Sequence, residues 1–251
     1  VQVMGVNDFH GALDTSGTAN MPEGPVANTG GAAQLDAGMD QAQAQFQAEH
    51  PDGNTTRVQA GDMVGASPAN SGLLQDEPTV KVFNHMNVEY GTVGNHEFDE
   101  GLPEYNRIVQ GQPPQAGQFN QIVDQYSTDG QQEPAKQQIL AANIIDQKTN
   151  QIPFGWQPYA IKTIPVGDKE VKMGYIGIVT TEIPNLVLRK NLEGYTFLDE
   201  AETIAKYAKE LNDQGVHAIG VIAHVAATRV SWKAMPFLSS INSTRFIPTI
   251  A

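Results

Sequence analysis

The chain of 251 residues contains no cysteine. This absence excludes disulfide bonds, thiolate metal ligands and cysteine nucleophiles, so any metal ion must be held by His, Asp, Asn and water. Basic residues are also scarce: 15 Lys and Arg stand against 28 Asp and Glu, which gives a formal net charge of −13. Since no basic stripe with interleaved aromatic residues occurs, the composition disfavours a nucleic-acid polymer as partner but is compatible with a free nucleotide.

Long apolar runs are missing as well, and no segment reaches the length of a membrane-spanning helix. No basic-then-apolar leader precedes Val1, where a strand-like segment already begins, so we expect any signal peptide to have been removed. By itself the lack of cysteine leaves the location of the protein open. The length suits a single large domain with a substantial core.

Strand-like and helix-like segments alternate in the N-terminal part of the chain. Apolar runs predict strands at 1–6, 56–60 and 88–93, and helical periodicity predicts helices at 30–49 and 77–86. This alternation indicates an α/β layer protein, in which ligands collect beyond the carboxyl ends of the strands.

A stretch rich in Gln, Gly, Pro and Asp at 110–138 predicts a surface insertion rather than a core element. Regular structure is expected to resume at 139–142, followed by a strand pair, a helix and a last strand that leads directly to His224. We place these four elements at 159–165, 171–179, 199–212 and 218–223. Since no internal repeat and no long linker occurs, residues 1–251 are predicted to form one domain.

Candidate metal ligands follow the predicted strands. Asp8 and His10 are two residues apart, so in extended backbone both side chains would point to the same side. Asp62 follows Gly61, which allows a sharp turn, and a carboxylate there can bridge two cations about 3.5 to 4 Å apart. Each motif alone also fits a structural role, such as an Asx-turn or a helix cap. Their recurrence at successive strand ends favours a two-metal site.

Asn95 and His96 are adjacent, so we expect their side chains to diverge, with Asn95 on a metal ion and His96 towards a substrate. A carboxylate can hold an imidazole in the required tautomer, and Asp99 lies close enough in sequence to do this for His96. His224 is a further candidate metal ligand. We expect the other histidines to be structural or surface residues, namely His50, His85 and His217.

Four groups of residues occur in a fixed order. They read Asn-Asp-Phe-His-Gly at 7–11, Gly-Asp-Met-Val-Gly-Ala-Ser-Pro at 61–68, Gly-Asn-His-Glu-Phe-Asp at 94–99 and Ala-His at 223–224. This series resembles the successive motifs of the calcineurin-like metallophosphoesterases. The similarity covers about residues 1–227 and is greatest to the branch that contains 5′-nucleotidases, 2′,3′-cyclic-nucleotide phosphodiesterases and UDP-sugar hydrolases.

The resemblance implies a four-layer αββα sandwich of the α/β class around two divalent metal ions, for which Zn, Mn or Fe is suitable. It implies that Asp8 and His10 bind one ion, that Asp62 bridges the two ions, and that the second ion is served by Asn95 and His224.

The resemblance also implies a reaction. His96 would be the catalytic histidine that faces the substrate, and Asp99 would orient it. A metal-bound hydroxide would attack phosphorus in line, while the cations and His96 stabilise the developing charge, and phosphate would be released from a nucleotide. Exported bacterial nucleotidases of this type are secreted, periplasmic or held at the cell surface, which the acidic, cysteine-free composition permits.

The sequence departs from the family pattern after His224. The family's next motif, Gly-His-x-His, supplies a ligand to each metal ion, and no Gly-His pair follows His224 here. Between 225 and 251 the only charged side chains are those of Arg229, Lys233 and Arg245, in an otherwise acidic protein. We therefore expect an atypical tail at 228–251 and a truncated or altered catalytic domain that lacks the family's nucleoside-binding C-terminal domain. Such a chain would retain one metal ion or catalyse weakly.

Three functional readings remain open. The first is a metal-dependent phosphohydrolase that acts on nucleotides. The second is a non-catalytic binding module, in which a degraded phosphoesterase fold displays a surface to a host or cell-wall partner. The third is a phosphodiesterase outside nucleotide metabolism, which shares the metal site and differs in the pocket beyond it.

Overall fold

The computed structural model describes residues 1–114 and 133–225. The strands in these ranges are β1 (Gln2–Val6), β2 (Gly17–Met21), β3 (Gly24–Thr29), β4 (Thr55–Ala60), β5 (Val88–Thr92), β6 (Gln138–Ile139), β7 (Ile144–Asp146), β8 (Tyr159–Val166), β9 (Lys169–Val179), β10 (Tyr195–Phe197) and β11 (Ala218–His224). The α-helices are α1 (Ala32–Glu49), α2 (Ala69–Gly72), α3 (Glu77–His85), α4 (Leu102–Val109), α5 (Ile183–Leu186) and α6 (Glu200–Asp213).

Two sheets form the centre of the molecule. The first is parallel, with strand order β1-β4-β5-β6, and the second has the order β11-β9-β8, in which only β8 runs antiparallel to its neighbour. β4 is buried along nearly its whole length, as expected of a strand that is covered on both faces. The sheets pack face to face through a cluster made by Val58, Ala60, Leu140, Ala160, Tyr175 and Ile222.

Helices cover the outer faces of both sheets. On the first sheet, Phe83 of α3 packs in one cluster with Val88 of β5. On the second sheet, Leu211 of α6 packs with Ile176 of β9, whereas the preceding Tyr175 points into the space between the sheets. Successive side chains of β9 therefore point to opposite faces of the sheet and pack in two different hydrophobic clusters. The expected αββα sandwich is confirmed.

The predicted strands and helices are confirmed, with ends that shift by one or two residues. The segment 139–142 is different, because β6 ends at Ile139. The N–H of Leu140 donates to the Gly91 carbonyl at 2.8 Å, and the N–H of Ala142 donates to the Gly177 carbonyl at 2.8 Å. Gly91 lies in the first sheet and Gly177 in the second, so this segment crosses between the sheets instead of extending β6.

Several elements were not predicted from the sequence. They are the exposed hairpin of β2 and β3, helix α4, and the short antiparallel pair of β7 and β10. Of the insertion predicted at 110–138, residues 115–132 lie outside the described residues, as does the whole tail at 228–251, and both remain predictions. Within the described ranges, no helix combines the length and the apolar character that a membrane crossing needs.

Gly177→Ala is expected to loosen the junction between the sheets. A Cβ atom at Gly177 would lie 2.2 Å from the Leu140 carbonyl oxygen, a backbone atom that cannot turn away. We expect the free energy of unfolding to fall by about 2 kcal/mol. Urea denaturation followed by circular dichroism measures this change.

Gly220→Ala in the neighbouring strand β11 is the matched control. Its Cβ atom would lie 3.5 Å from Met173 Cε and Tyr175 Cδ1, which is ordinary contact, so stability is expected to change by less than about 1 kcal/mol. Equal midpoints for both variants and the unsubstituted chain would contradict the steric account of Gly177.

Candidate metal centre

The carboxyl ends of four strands meet at one edge of the sandwich. Asp8 lies shortly after β1, Asp62 after β4 and Asn95 after β5, and His224 is the last residue of β11. β1, β4 and β5 are parallel neighbours, so their ends lie at the same edge, and β11 packs against β4 and β5. The structure therefore brings together side chains that are far apart in the sequence.

Asp62 stands at the centre of this group and is only 2% exposed. Its Oδ2 atom lies 3.3 Å from Nε2 of His224 and 3.8 Å from Nε2 of His10. Its Oδ1 atom accepts a hydrogen bond from the backbone N–H of His96 at 2.9 Å. Burial raises the pKa of the Asp62 carboxyl, but the hydrogen bond and charge of His224, with a smaller contribution from His96, lower it overall. Asp62 is therefore an ionised group that faces two imidazoles.

Backbone carbonyls fix the orientation of these two imidazoles. Nδ1 of His10 lies 2.8 Å from the Gly65 carbonyl oxygen, and Nδ1 of His224 lies 2.9 Å from the Ala60 carbonyl oxygen. A carbonyl oxygen can only accept, so Nδ1 carries the proton in each ring and Nε2 is turned towards Asp62. In this arrangement a neutral imidazole presents its lone pair to a metal ion.

The acceptors around His224 favour positive charge at its Nε2 atom. Its Nε2 atom lies 3.2 Å from Oδ1 of Asn95 and 3.3 Å from Oδ2 of Asp62, and both oxygens are acceptors. Burial lowers the pKa of His224, but the hydrogen bond and charge of Asp62, helped by the Ala60 carbonyl, raise it to about 9. A proton on Nε2, or a metal ion in its place, satisfies the same acceptors. The donor set therefore fits a divalent cation.

Two overlapping sets of side chains offer ligand atoms within 4.8 Å of one another, one made by His10, Asp62 and His96, the other by Asp8, Asp62 and His224. Asp62 belongs to both sets, as a bridging carboxylate must. Imidazole and carboxylate donors suit Zn²⁺, Mn²⁺ or Fe²⁺. The assignment of Asp8 and His10 to one ion and of Asn95 and His224 to the other stays a prediction.

His96 and Asp99 form a pair at the open side of the site. Nδ1 of His96 lies 2.7 Å from Oδ2 of Asp99, and the two side chains are 31% and 39% exposed. Burial lowers the pKa of His96, but the hydrogen bond to Asp99 and the charges of Asp62 and Asp99 raise it overall. The ring of His96 meets the ring of His10 edge to face, with 4.8 Å between centroids. The pair thus presents an imidazole to a molecule that enters from solvent.

The backbone is left-handed at three candidate ligands, with φ of 52° at Asp8, 46° at His10 and 53° at Asp62. The expectation of extended backbone at Asp8 and His10 is therefore wrong. The N–H of Asp8 donates to the Gly61 carbonyl at 3.2 Å, and the N–H of His10 donates to the Asp62 carbonyl at 3.0 Å. These bonds fold the loop after β1 against the loop after β4. Left-handed non-glycine residues cost about 1–3 kcal/mol each and cluster at functional sites.

Two glycines allow the loops after β4 and β5 to approach each other. A Cβ atom on Gly94 would lie 2.1 Å from Oδ1 of Asp62, and one on Gly61 would lie 2.8 Å from Nδ1 of His224. Both distances are far below van der Waals contact, so a side chain at either position would displace a candidate ligand. The sequence predicts a close approach at Gly61, and the structure adds Gly94.

The sequence did not reveal the role of Glu97, which is 2% exposed. Its carboxylate accepts hydrogen bonds from the N–H groups of Asp62 at 2.9 Å, Met63 at 2.8 Å and Gly94 at 2.5 Å. Burial, together with the charge of Asp62, raises the pKa of Glu97 to about 7. Glu97 therefore ties the loop after β4 to the loop after β5. One feature of the sequence could have indicated this role: Glu97 directly precedes the apolar Phe98 in a motif that follows a buried strand.

A second contact missed from the sequence involves Asn191, whose Nδ2 donates to the backbone carbonyl of Asp99 at 2.6 Å. The expectation for the remaining histidines is confirmed, because all three are exposed and lie outside this group. His85 pairs with Asp36 at 3.3 Å, and Nδ1 of His217 lies 2.7 Å from Oδ1 of Asn212. The third is His50, at the end of α1.

The chain is similar to several known proteins, although no family model matches it. It is 51% identical over 230 residues to the cell wall protein Lmo0130 of Listeria monocytogenes, and this match covers 90% of this chain and 28% of that protein. It is 34% identical over 229 residues to endonuclease YhcR of Bacillus subtilis, covering 90% and 17% of the two chains.

A third relative is the 2′,3′-cyclic-nucleotide 2′-phosphodiesterase/3′-nucleotidase of Salmonella typhimurium, with 33% identity over 184 residues that cover 68% of this chain and 24% of the relative. The chain thus spans between 17% and 28% of the length of these three proteins.

Solved structures share the fold. The NAD nucleotidase NadN of Haemophilus influenzae matches with a TM-score of 0.65 and 22% identity, over 90% of this chain and 34% of that chain. The calcineurin-like phosphoesterase YfkN of Bacillus subtilis matches with a TM-score of 0.62 and 23% identity, over 89% and 61% of the two chains. Taken with the motifs and the αββα fold, these similarities show that the chain belongs to the calcineurin-like metallophosphoesterases, in the branch of the 5′-nucleotidases and 2′,3′-cyclic-nucleotide phosphodiesterases.

Proposed function

We propose that this chain is a catalytic domain that hydrolyses phosphate esters of nucleotides with the help of divalent cations, releasing phosphate as a 5′-nucleotidase or opening the cyclic ester as a 2′,3′-cyclic-nucleotide phosphodiesterase. The observation that carries the proposal is the convergence of Asp62, Asn95 and the Nε2 atoms of His10 and His224 beside the accessible His96. The similarity to the enzyme of Salmonella typhimurium supports a nucleotide as the substrate.

The ligands in this proposal are Asp8, His10, Asp62, Asn95 and His224. When bound, divalent cations activate water and neutralise charge on the phosphoryl oxygens. Asp62 contributes an ionised carboxylate that reaches both ligand sets. The carbonyls of Gly65 and Ala60 hold the imidazoles with Nε2 directed inward, so these rings need no reorientation when a cation enters.

His96 is proposed to act on the substrate itself. With Nδ1 held by Asp99, its Nε2 atom can donate a hydrogen bond to a phosphoryl oxygen or a proton to the leaving oxygen. The raised pKa of His96 increases the share of the imidazolium form that carries the second proton. Asn191 bonds to the backbone of Asp99 and supports the pair from behind.

The relative in Listeria monocytogenes, named a cell wall protein, supports a second part of the proposal, a location at the cell surface.

The 34% identity to a Bacillus subtilis endonuclease favours one further candidate activity, the cleavage of a phosphodiester bond within a polynucleotide. The same ligands would serve both reactions, and only the substrate would differ.

The purified chain, supplied separately with Zn²⁺, Mn²⁺ or Fe²⁺, tests the proposal by phosphate release from 5′-AMP and 3′-AMP and by conversion of 2′,3′-cyclic AMP to AMP. Cleavage of a single-stranded oligonucleotide in the same series tests the alternative activity. Turnover of a mononucleotide supports the proposal. Bound metal without turnover of any of these compounds would instead support the reading as a non-catalytic binding module.

Asp62→Asn is expected to lower metal content and phosphate release together, because it removes the charge that both ligand sets share. Activity should fall by more than the factor of about 10–100 that is typical when a residue that only hydrogen-bonds a metal ligand is removed. Elemental analysis and a phosphate assay measure the two effects. Asp213→Asn, on the exposed end of α6, is the control, and unchanged activity in Asp62→Asn would refute the assignment.

Asp99→Asn is expected to lower kcat by about 100-fold and to leave metal content unchanged. The amide keeps the shape of the side chain but removes the charge that holds Nδ1 of His96. Steady-state kinetics beside elemental analysis separates this effect from loss of the cations. A parallel loss of metal would contradict the role of the pair as a group that faces only the substrate.

Glu97→Gln is expected to impair the site and the fold together. The amide nitrogen would face backbone N–H groups, and at least one buried donor would lose its acceptor. We expect the free energy of unfolding to fall by about 2 kcal/mol and metal content to fall with it. Thermal and urea unfolding with elemental analysis test this. Glu100→Gln, at an exposed position three residues further on, should change neither quantity.

A further inference from the structure

We propose that Asp76 is a positioning residue for the candidate ligand His10 and that it acts through the backbone of Gly65. The consequence for turnover rests on the proposed function, whereas the effect on His10 does not. Asp76 lies outside the four sequence motifs, at the residue before α3, and its side chain reaches the loop after β4.

The side chain of Asp76 does not perform the task that its position suggests. Asp at the residue before a helix usually accepts a hydrogen bond from the first helical N–H groups, but this carboxylate makes no such bond to α3. Oδ2 accepts from the N–H of Gly65 at 3.0 Å, and Oδ1 accepts from the hydroxyl of Ser71 at 2.6 Å. Asp76 is 8% exposed and has a left-handed backbone with φ of 59°. Asp76 thus has a strained backbone, and its buried carboxylate is hydrogen-bonded to Gly65 and Ser71.

The backbone of Gly65 connects Asp76 to the site, because its N–H and its carbonyl lie on either side of the same Cα atom. Its carbonyl oxygen accepts from Nδ1 of His10 at 2.8 Å and from the Ser67 hydroxyl at 3.3 Å. A Cβ atom at Gly65 would lie 2.8 Å from Oδ2 of Asp99 and 2.8 Å from Cβ of His96. Gly65 therefore lies between His10 on one side and the His96–Asp99 pair on the other.

Loss of the Asp76 carboxylate would leave the partly buried N–H of Gly65 without its acceptor. The loop around Gly65 would rearrange to find another acceptor, and that rearrangement would move the carbonyl away from Nδ1 of His10. His10 would then lose the bond that fixes its tautomer and keeps Nε2 directed at Asp62. Asp76 consequently acts on the metal ligand without touching metal or substrate.

Asp76→Gly is the main test, because glycine adopts φ of 59° without strain and removes the side chain that accepts from Gly65 and Ser71. We expect the dissociation constant for Mn²⁺, measured from the electron paramagnetic resonance signal of the free ion, to rise about 10-fold. In the metal-free protein, the ¹⁵N shifts of the His10 ring should change from the Nδ1–H tautomer to a mixture. Neither readout requires turnover.

Asp76→Asn should restore both readouts to within about threefold of the unsubstituted chain, because its amide oxygen can accept from Gly65 while its NH₂ group donates to Ser71. Gln75→Gly is the matched control. Gln75 is also left-handed, with φ of 54°, and binds Arg107 instead of Gly65, so its replacement should leave His10 unchanged.

Wild-type Mn²⁺ affinity and an unchanged His10 tautomer in Asp76→Gly would overturn the proposal, as would equal effects in Gln75→Gly. If Asp76→Gly does not fold, the contact itself can be tested in the unsubstituted protein. The measurement is the scalar coupling across the hydrogen bond between the Gly65 nitrogen and the Asp76 carboxyl carbon, and its absence refutes the contact. Failure of the unsubstituted chain to release phosphate, with the His10 and Mn²⁺ effects present, would refute only the proposed function.

Discussion

The buried carboxylate of Asp62 imposes the constraint on which the arrangement of this protein depends. A carboxylate that is 2% exposed must find its partners already in place, because an unpaired buried charge costs several kcal/mol. His224 and His10 supply Nε2 atoms at 3.3 and 3.8 Å, and the N–H of His96 supplies a hydrogen bond at 2.9 Å. These partners come from β11 and from the loops after β1 and β5, so the burial of one charge holds four strand ends together.

A second buried carboxylate lies beside the first, and the two have different partners. Glu97 directs its oxygens at backbone N–H groups of Asp62, Met63 and Gly94, whereas Asp62 faces imidazoles. Peptide N–H groups are fixed dipoles that stabilise a carboxylate without a countercharge, so Glu97 does not compete with Asp62 for a cation. Burial and the charge of Asp62 raise the pKa of Glu97 to about 7, which further reduces the negative charge on Glu97. Glu97 therefore fixes the loops and leaves Asp62 available as a candidate ligand.

The sequence predicts those features whose cause is local. Apolar runs identify the buried strands, and parallel strands bring their carboxyl ends to one edge, which is why Asp8, Asp62 and Asn95 are found together. The partners of Glu97 are up to 35 residues away in the chain, so no local pattern reveals them. Asp76 resembles an ordinary helix cap in the sequence, and only the tertiary structure shows that its carboxylate binds Gly65. Likewise, hydrogen bonds to the loop after β4 impose the left-handed backbone at His10, which the preceding apolar run cannot indicate.

Negative charge is concentrated at the candidate metal centre. Four carboxyl groups surround its three imidazoles in a protein of net charge −13, and they belong to Asp8, Asp62, Glu97 and Asp99. A phosphate ester is an anion, so it is repelled while these carboxylates lack countercharge. Asp8, Asp62 and Asp99 carry most of this negative charge, because the raised pKa of Glu97 reduces its share. Divalent cations bound as proposed would offset that charge and make the pocket attractive to phosphate. In the proposed reaction, cation binding would therefore precede substrate binding, and residues that orient the candidate ligands would control substrate affinity without touching the substrate.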